Sequence, residues 1–311
     1  MLIHSAGLQT SIQDLGREQM MHKGIGASGA MDPISMQIAN SLLGNPLTHP
    51  VIEVTQLGPI IEFEQDISIA ICGAEFELFI NDQPQALFST IDVSTGDKLY
   101  FGKLKTGARA YLAFAAELDM EPRFNSYSTH LTANFGGYHG RALAKGDRIP
   151  LIDPRQVEQR YLLTEQQVKF SGNYRIRCCP SIETTSFPTE LIEQLCYNQY
   201  QVSSDSNRMG IRLQGRALHV AEPIELTSSG LLPGSIQLPP SGLPIIAGVD
   251  AQTVGGYPRL ANVISVDLPI LGQLKTKDKI SWEIVSVEQA LTYAKNKQRI
   301  LQGILKQIVY A

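Results

Sequence analysis

Cysteine, histidine and tryptophan are all scarce in this chain of 311 residues. The four cysteines, Cys72, Cys178, Cys179 and Cys196, include no CxxC spacing. That excludes a disulfide framework and predicts buried or incidental thiols in a reducing compartment. The six histidines are scattered, with no HxH or HExxH among them, so a tight metal site is not predicted. A basic surplus is missing too. Against 26 lysines and arginines stand 30 acids, a net charge of −4. This excludes the electrostatic footprint of a phosphate-backbone binder, and no nucleic-acid partner is expected. No apolar run approaches the roughly 18–20 residues needed to span a bilayer. The opening Met1-Leu-Ile-His-Ser-Ala-Gly lacks a basic segment leading into an apolar one, so no signal peptide is expected and the predicted location is cytoplasmic. GxxxxGK[ST] and GxSxG are absent, which excludes a P-loop and a serine-hydrolase elbow.

What is present reads mainly as β-structure. With 43% apolar residues the chain can bury a real core, and its length suggests two domains. Helices are few. Asp32 can cap one, Pro33 suits its first turn, and Ile34, Ile38 and Leu42 recur every four residues until Gly44-Asn-Pro stops it. Ser286 and Gln289 have capping-box spacing for a C-terminal helix running to Lys306. A short helix fits 189–195. Ile67, Ile69 and Ile71 alternate as in a strand, Phe76 to Ile80 runs into the turn pair Asn81-Asp82, and Leu99-Tyr-Phe and Tyr111 to Ala115 read as further strands. No β–α alternation supports a doubly wound sheet. The halves echo each other. Ile52-Glu-Val-Thr matches Ile224-Glu-Leu-Thr, and Gly96-Asp-Lys-Leu matches Lys277-Asp-Lys-Ile, at offsets of 172 and 181 residues. Two related β-lobes are predicted, over 1–160 and 161–311, joined within 153–171 and with the helix ending the second.

Three stretches could carry chemistry. Gly230–Arg259 holds six glycines and five prolines, and its only charges are Asp250 and Arg259. With Gln252, Thr253, Gly255, Gly256 and Tyr257 these form a polar cluster in an apolar setting, the composition of a small-molecule site. An Asp250–Arg259 pair that merely fixes the loop is the alternative. Ser203-Ser-Asp-Ser-Asn-Arg-Met-Gly-Ile-Arg places Asn207 and Arg208 where a guanidinium could take a carboxylate or phosphate, or where a plain surface loop would lie. Ser126-Tyr-Ser-Thr-His with Asn134-Phe-Gly-Gly-Tyr-His-Gly-Arg is a third such loop, or a flexible hairpin. Gly24-Ile-Gly-Ala-Ser-Gly matches GxGxxG without the βαβ unit a dinucleotide site needs. Feeding a helix N-terminus, it could still hold an anion.

Taken together, Ser28-Gly-Ala-Met-Asp, Ser128-Thr-His, Phe135-Gly-Gly-Tyr-His-Gly-Arg, Ser206-Asn-Arg-Met-Gly, Gly234-Ser-Ile-Gln-Leu-Pro-Pro-Ser-Gly and Asp250-Ala-Gln-Thr-Val-Gly-Gly-Tyr-Pro-Arg resemble the family of 5-oxoprolinase C subunits, also described as KipA-type or allophanate-hydrolase-subunit-2-like. The resemblance runs the length of the chain. It implies two cyclophilin-like β-barrel lobes in tandem. It also implies an assembly with a KipI-type B subunit and an A subunit that opens 5-oxoproline to glutamate, with ATP and Mg²⁺ as co-substrate. A KipA-type partner of a sensor-kinase inhibitor, or the carboxyltransferase part of a urea carboxylase-like system, are the other roles the resemblance allows. The chain has no Met-Lys-Met motif, so no covalent biotin is expected. Under the hydrolytic reading, side-chain chemistry suggests Arg208 for the substrate carboxylate and Arg259 for phosphate or a developing oxyanion. Asp250 would serve as base or magnesium ligand, and Tyr257 and Gln252 would orient the substrate. Asn207, Gly255, Gly256 and Ser128 complete the predicted site.

Overall fold

In a computed structural model of the chain, the residues described are 1–220, 224 and 226–310. They form two units, 1–17 with 28–170 and 300–311, and 18–27 with 171–299. The structure is mainly β, as the patterning predicts.

The first helix, α1 (Pro33–Leu42), lies where its signals place it. Asp32 accepts hydrogen bonds from the N–H groups of Ile34 and Ser35 at 3.2 Å each. The two preceding N–H groups are also taken, Met31 by Glu53 at 2.9 Å and Asp32 by the Tyr111 hydroxyl at 2.7 Å. This corrects the expectation of an anion site here. A helix N-terminus attracts anions through orphan N–H groups, and these have internal partners.

The core of the first unit lies against an eight-stranded sheet. Its two longest strands, Ile67–Ile80 and Lys98–Phe114, pair antiparallel almost end to end. The sequence reads each as two shorter strands. They are continuous because bulges between Gly73 and Leu78 let the strand bend without ending. Gly73 has φ 109°, and a Cβ there would collide with the Arg109 carbonyl, so only glycine fits the bend. Asn81 and Asp82, at φ 47° and 66°, form the tight hairpin turn that the pair announces.

The second unit contains a closed seven-stranded barrel. Its order is Asn173–Pro180, Arg259–Val263, Ser235–Gln237, Ile245–Ala247, Gly210–Gln214, Tyr200–Val202 and Lys279–Ile284, which closes in parallel on the first strand. Helix α2 (Thr189–Tyr197) buries Leu191 and Leu195, and a third, five-residue helix, α3 (Leu268–Gly272), is one the sequence does not announce. The fourth helix, α4 (Val287–Lys306), starts on a true capping box. The Ser286 N–H donates to Gln289 Oε1 at 2.9 Å and the Gln289 N–H to Ser286 Oγ at 3.2 Å.

One of the two echoes has a physical basis. In both Gly96-Asp97 and Lys277-Asp278 a left-handed residue precedes an aspartate that leads into a strand. Asp97 accepts from the Ser94 N–H at 2.8 Å, and Asp278 accepts from the Lys275 N–H at 3.0 Å. The repeat is a turn that needs an aspartate three residues on. The other echo includes Glu225, which lies outside the described residues.

All four cysteines are free. Burial pushes the thiols of Cys72 and Cys178 well up, which leaves them unreactive. Among the described residues no helix is long and apolar enough to cross a membrane.

Candidate functional site

The site is built on the outer surface of the barrel. Strand residues alternate between faces, so one register row points in and the next points out. Ile211, Ile246, Ile236 and Ala261 are partners across four strands and are buried. One residue along, Arg212 pairs with Ile245 and Ile245 with Gln237, and a register shift in the last strand brings Arg259, two residues from Ala261, opposite Gln237. This second row is the floor of the site.

Two loops stand over it. The turn before strand Gly210–Gln214 is shaped by Asn207, whose side-chain oxygen accepts from the N–H groups of Met209 and Gly210 at 2.8 and 3.3 Å. The second loop follows strand Ile245–Ala247. Its Gly248 N–H donates to Met209 O at 2.9 Å and its Asp250 N–H to Arg208 O at 3.0 Å. A Cβ on Gly248 would overlap the Arg208 carbonyl, so the glycine permits the approach. Side chains lock it further. Arg208 Nε donates to Asp250 Oδ2 at 2.8 Å and Nη2 to Oδ1 at 3.1 Å, with both side chains nearly inaccessible, 2% and 1% exposed.

Arg259 is committed elsewhere. Its Nε donates to Glu183 Oε2 at 2.8 Å and its Nη2 to Oε1, while Nη1 donates to the Gly230 carbonyl at 2.6 Å. This fixes the ribbon in which Ser229-Gly230 pairs with Val254-Gly255. The Asp250–Arg259 pair considered from sequence is therefore replaced by two pairs, Arg208–Asp250 and Glu183–Arg259. Arg259 holds the Glu183 carboxyl below its usual range, followed by Ser181 as a hydrogen-bond donor. A depressed folded-state pKa stabilises above the unfolded value, and the contribution is lost as pH falls through the folded one. Glu183→Gln should therefore lower the melting temperature at pH 7, and the gap to the parent should close as acid is added below the ordinary carboxylate value of 4.5. A gap that persists to the most acidic stable condition would contradict the assignment.

Between loops and floor lies a cavity of about 240 Å³. Asn207, Gln252 and Tyr257 line it, together with Arg212, Gln237 and an apolar set that includes Leu231 and Ile245. Arg212 is the one charged residue of this lining. Its guanidinium makes no hydrogen bond or ion pair among the described residues, so the cavity presents an uncompensated positive charge. Tyr257 is 49% exposed and also borders two neighbouring cavities, of about 450 and 300 Å³. Arg212 lines the first of these as well.

The structure thus brings Asn207, Gln252 and Tyr257 together around one space, with Arg208 and Asp250 bonded to each other in the loops that frame it. Gly255 sits in the ribbon, where a Cβ would press on Gln237, and Gly256 lines the 300 Å³ cavity. Ser128 belongs to the first unit. It is fully buried, its hydroxyl donates to the Asp14 carboxylate and it accepts from the Asp14 N–H at 3.0 Å. Sequence reasoning missed Arg212, Gln237 and Glu183. For Arg212 a signal existed: Ile211 and Leu213 flank it with strand alternation, which turns it outward.

Residues 23–284 match the family described as "Carboxyltransferase domain, subdomain A and B". The chain is 38% identical over 301 residues to the 5-oxoprolinase C subunit of Escherichia coli, covering 96% of each. It is 34% identical over 296 residues to the protein of the same description in Haemophilus influenzae, covering 95% of this chain and 94% of the other. Among solved structures, the urea amidolyase of K. lactis superposes with a TM-score of 0.89 at 27% identity, over 99% of this chain and 20% of that one.

Proposed function

This chain belongs to the family of 5-oxoprolinase C subunits, and from that membership we propose that it works as the C subunit of an ATP-dependent 5-oxoprolinase, opening the lactam to glutamate with A and B subunits. The observation that carries the assignment of the site is the unpaired Arg212 guanidinium in a small, otherwise uncharged cavity. 5-Oxoproline is a five-membered lactam with one carboxylate. A guanidinium takes a carboxylate bidentately, and a cavity below the roughly 300 Å³ at which drug-sized pockets begin suits so small a molecule. The lactam also offers one N–H donor and one carbonyl acceptor. The amides of Asn207 and Gln252 supply both complements, and the Tyr257 hydroxyl can donate to a carbonyl oxygen as charge develops there. Leu231 and Ile245 exclude water from the ring.

In this reading Arg208, Asp250 and Arg259 position the loops rather than touch substrate. ATP with Mg²⁺ is the co-substrate of the assembly and would activate the amide, itself a poor electrophile. Among the described residues no three acidic, histidine or cysteine side chains converge as metal ligands. The A and B subunits complete the machinery. Mixing all three proteins should give ATP hydrolysis that depends on 5-oxoproline, and Tyr257→Phe should reduce kcat by about tenfold or more, the scale of one lost transition-state hydrogen bond. Activity that instead requires bicarbonate and is blocked by avidin would replace this reading with carboxyl transfer, the role suggested by the family description and the urea amidolyase relative.

A further inference from the structure

The first unit contains a cavity of about 640 Å³ that plays no part in the reading above. It is lined by segments 119–124 and 134–140 with Arg148 and Pro150. Segment 134–140 is the glycine-rich stretch for which the sequence left a flexible hairpin open. It is instead tightly seated. A Cβ on Gly136 would overlap the Ser128 carbonyl and one on Gly137 the Thr129 hydroxyl. The segment they lie on is tied down in turn, because Asp14 accepts from Ser126 Oγ at 2.7 Å and the Tyr127 N–H at 2.6 Å.

Within the loop the Gly140 N–H donates to Gly136 O at 2.9 Å and the Arg141 N–H to Tyr138 O at 3.3 Å. The N–H groups of Gly136, Gly137, Tyr138 and His139 make no hydrogen bond among the described residues, and all four residues line the cavity. Successive free N–H groups in a turn of this kind form a concavity for an anion. Arg148 adds a cation. Its side chain is 71% exposed, and its Nε meets Glu64, outside the lining, at 3.3 Å. Arg123 faces Glu121 at 3.7 Å, which leaves Asp119 as the remaining acid of the lining. Phe124 adds a different chemistry. Its ring is half exposed in the lining and packs edge-on to Phe135 at 6.0 Å. An aromatic ring held this way offers a face for a flat partner.

We infer that this cavity is a second ligand site, for a small anion that carries a flat ring. The N–H row and Arg148 take the anionic group, and Phe124 stacks on the ring. The inference is independent of the role given to Arg212.

Calorimetric titration of the purified chain tests it with four probes: adenosine monophosphate, benzoate, adenosine and inorganic phosphate. At least one ring-bearing anion should bind about tenfold or more tightly than adenosine or phosphate alone, because both halves of the site are then engaged. A preference for the nucleotide or for benzoate identifies phosphate or carboxylate as the natural anion. Phe124→Asn and Arg148→Gln should each weaken that binding severalfold without changing the melting temperature. Asparagine accepts the φ of 54° found at Phe124, and Arg148 is exposed. Arg212→Gln should leave it unchanged. If neither ring-bearing anion binds at millimolar concentration, or if binding survives both substitutions, the site is not there.

Discussion

Replacing Arg212 with glutamine should raise the KM for 5-oxoproline about ten- to a hundredfold in the reconstituted assembly, with little change in kcat. Hydrogen bonds to a charged group contribute about 1.5–3 kcal/mol, and each 1.4 kcal/mol is tenfold in affinity. The carboxylate of 5-oxoproline is carried by the ring carbon next to the amide nitrogen, and no bond to it changes when the amide opens. Losing its partner removes binding that substrate and transition state share, which appears in KM. Arg212→Lys should recover only part of the loss, since an ammonium is a point charge and cannot form the two parallel bonds of a guanidinium. The chain's own stability should not change, because Arg212 is exposed and its guanidinium holds nothing else in place. Steady-state kinetics on the three proteins decide the matter. An unchanged KM for Arg212→Gln would remove the carboxylate from this cavity.

The contrast between Arg212 and Arg208 shows where sequence reasoning reached its limit. Both lie in one stretch, Ser203 to Arg212, and both have the same chemistry. Composition marks the stretch but cannot say which guanidinium is spent on the fold. The answer depends on Asp250, which is 42 residues away in sequence and beside Arg208 in space. Glu183 escaped notice for the same reason: its partner Arg259 is 76 residues distant. Local signals fared better. The Asp32 cap, the Ser286–Gln289 capping box and the Asn81-Asp82 turn are each fixed within a few residues, and each forms as the sequence states. The two long strands of the first unit lie between these cases. Their apolar alternation is visible, but the bulges that join the halves depend on the partner strand. Gln252 and Tyr257 lie in the stretch that glycine and proline mark, Asn207 in the one marked by small polar residues beside an arginine, and all three line one cavity.

Asp250→Ala should destabilise the second unit by about 3–5 kcal/mol, the usual consequence of leaving one member of a buried ion pair alone. The melting temperature of the isolated chain should fall on the order of 10 °C. Arg208→Met should act similarly, by leaving a buried carboxylate without its donor. The double variant Arg208→Met with Asp250→Ala separates scaffold from chemistry. Removing both charges together is often close to neutral, so the melting temperature should return most of the way. Groups in direct contact couple in this way, and the two bonds of 2.8 and 3.1 Å are that contact. Activity then reports the role of Asp250. As part of the scaffold, it should recover in the double variant together with the fold, because Gly248, Met209 and the backbone bonds still hold the loops over Arg212. As a base, it would leave the double variant stable and inactive. The geometry favours recovery: both carboxylate oxygens already accept from Arg208, and Asp250 is not among the residues that line the cavity.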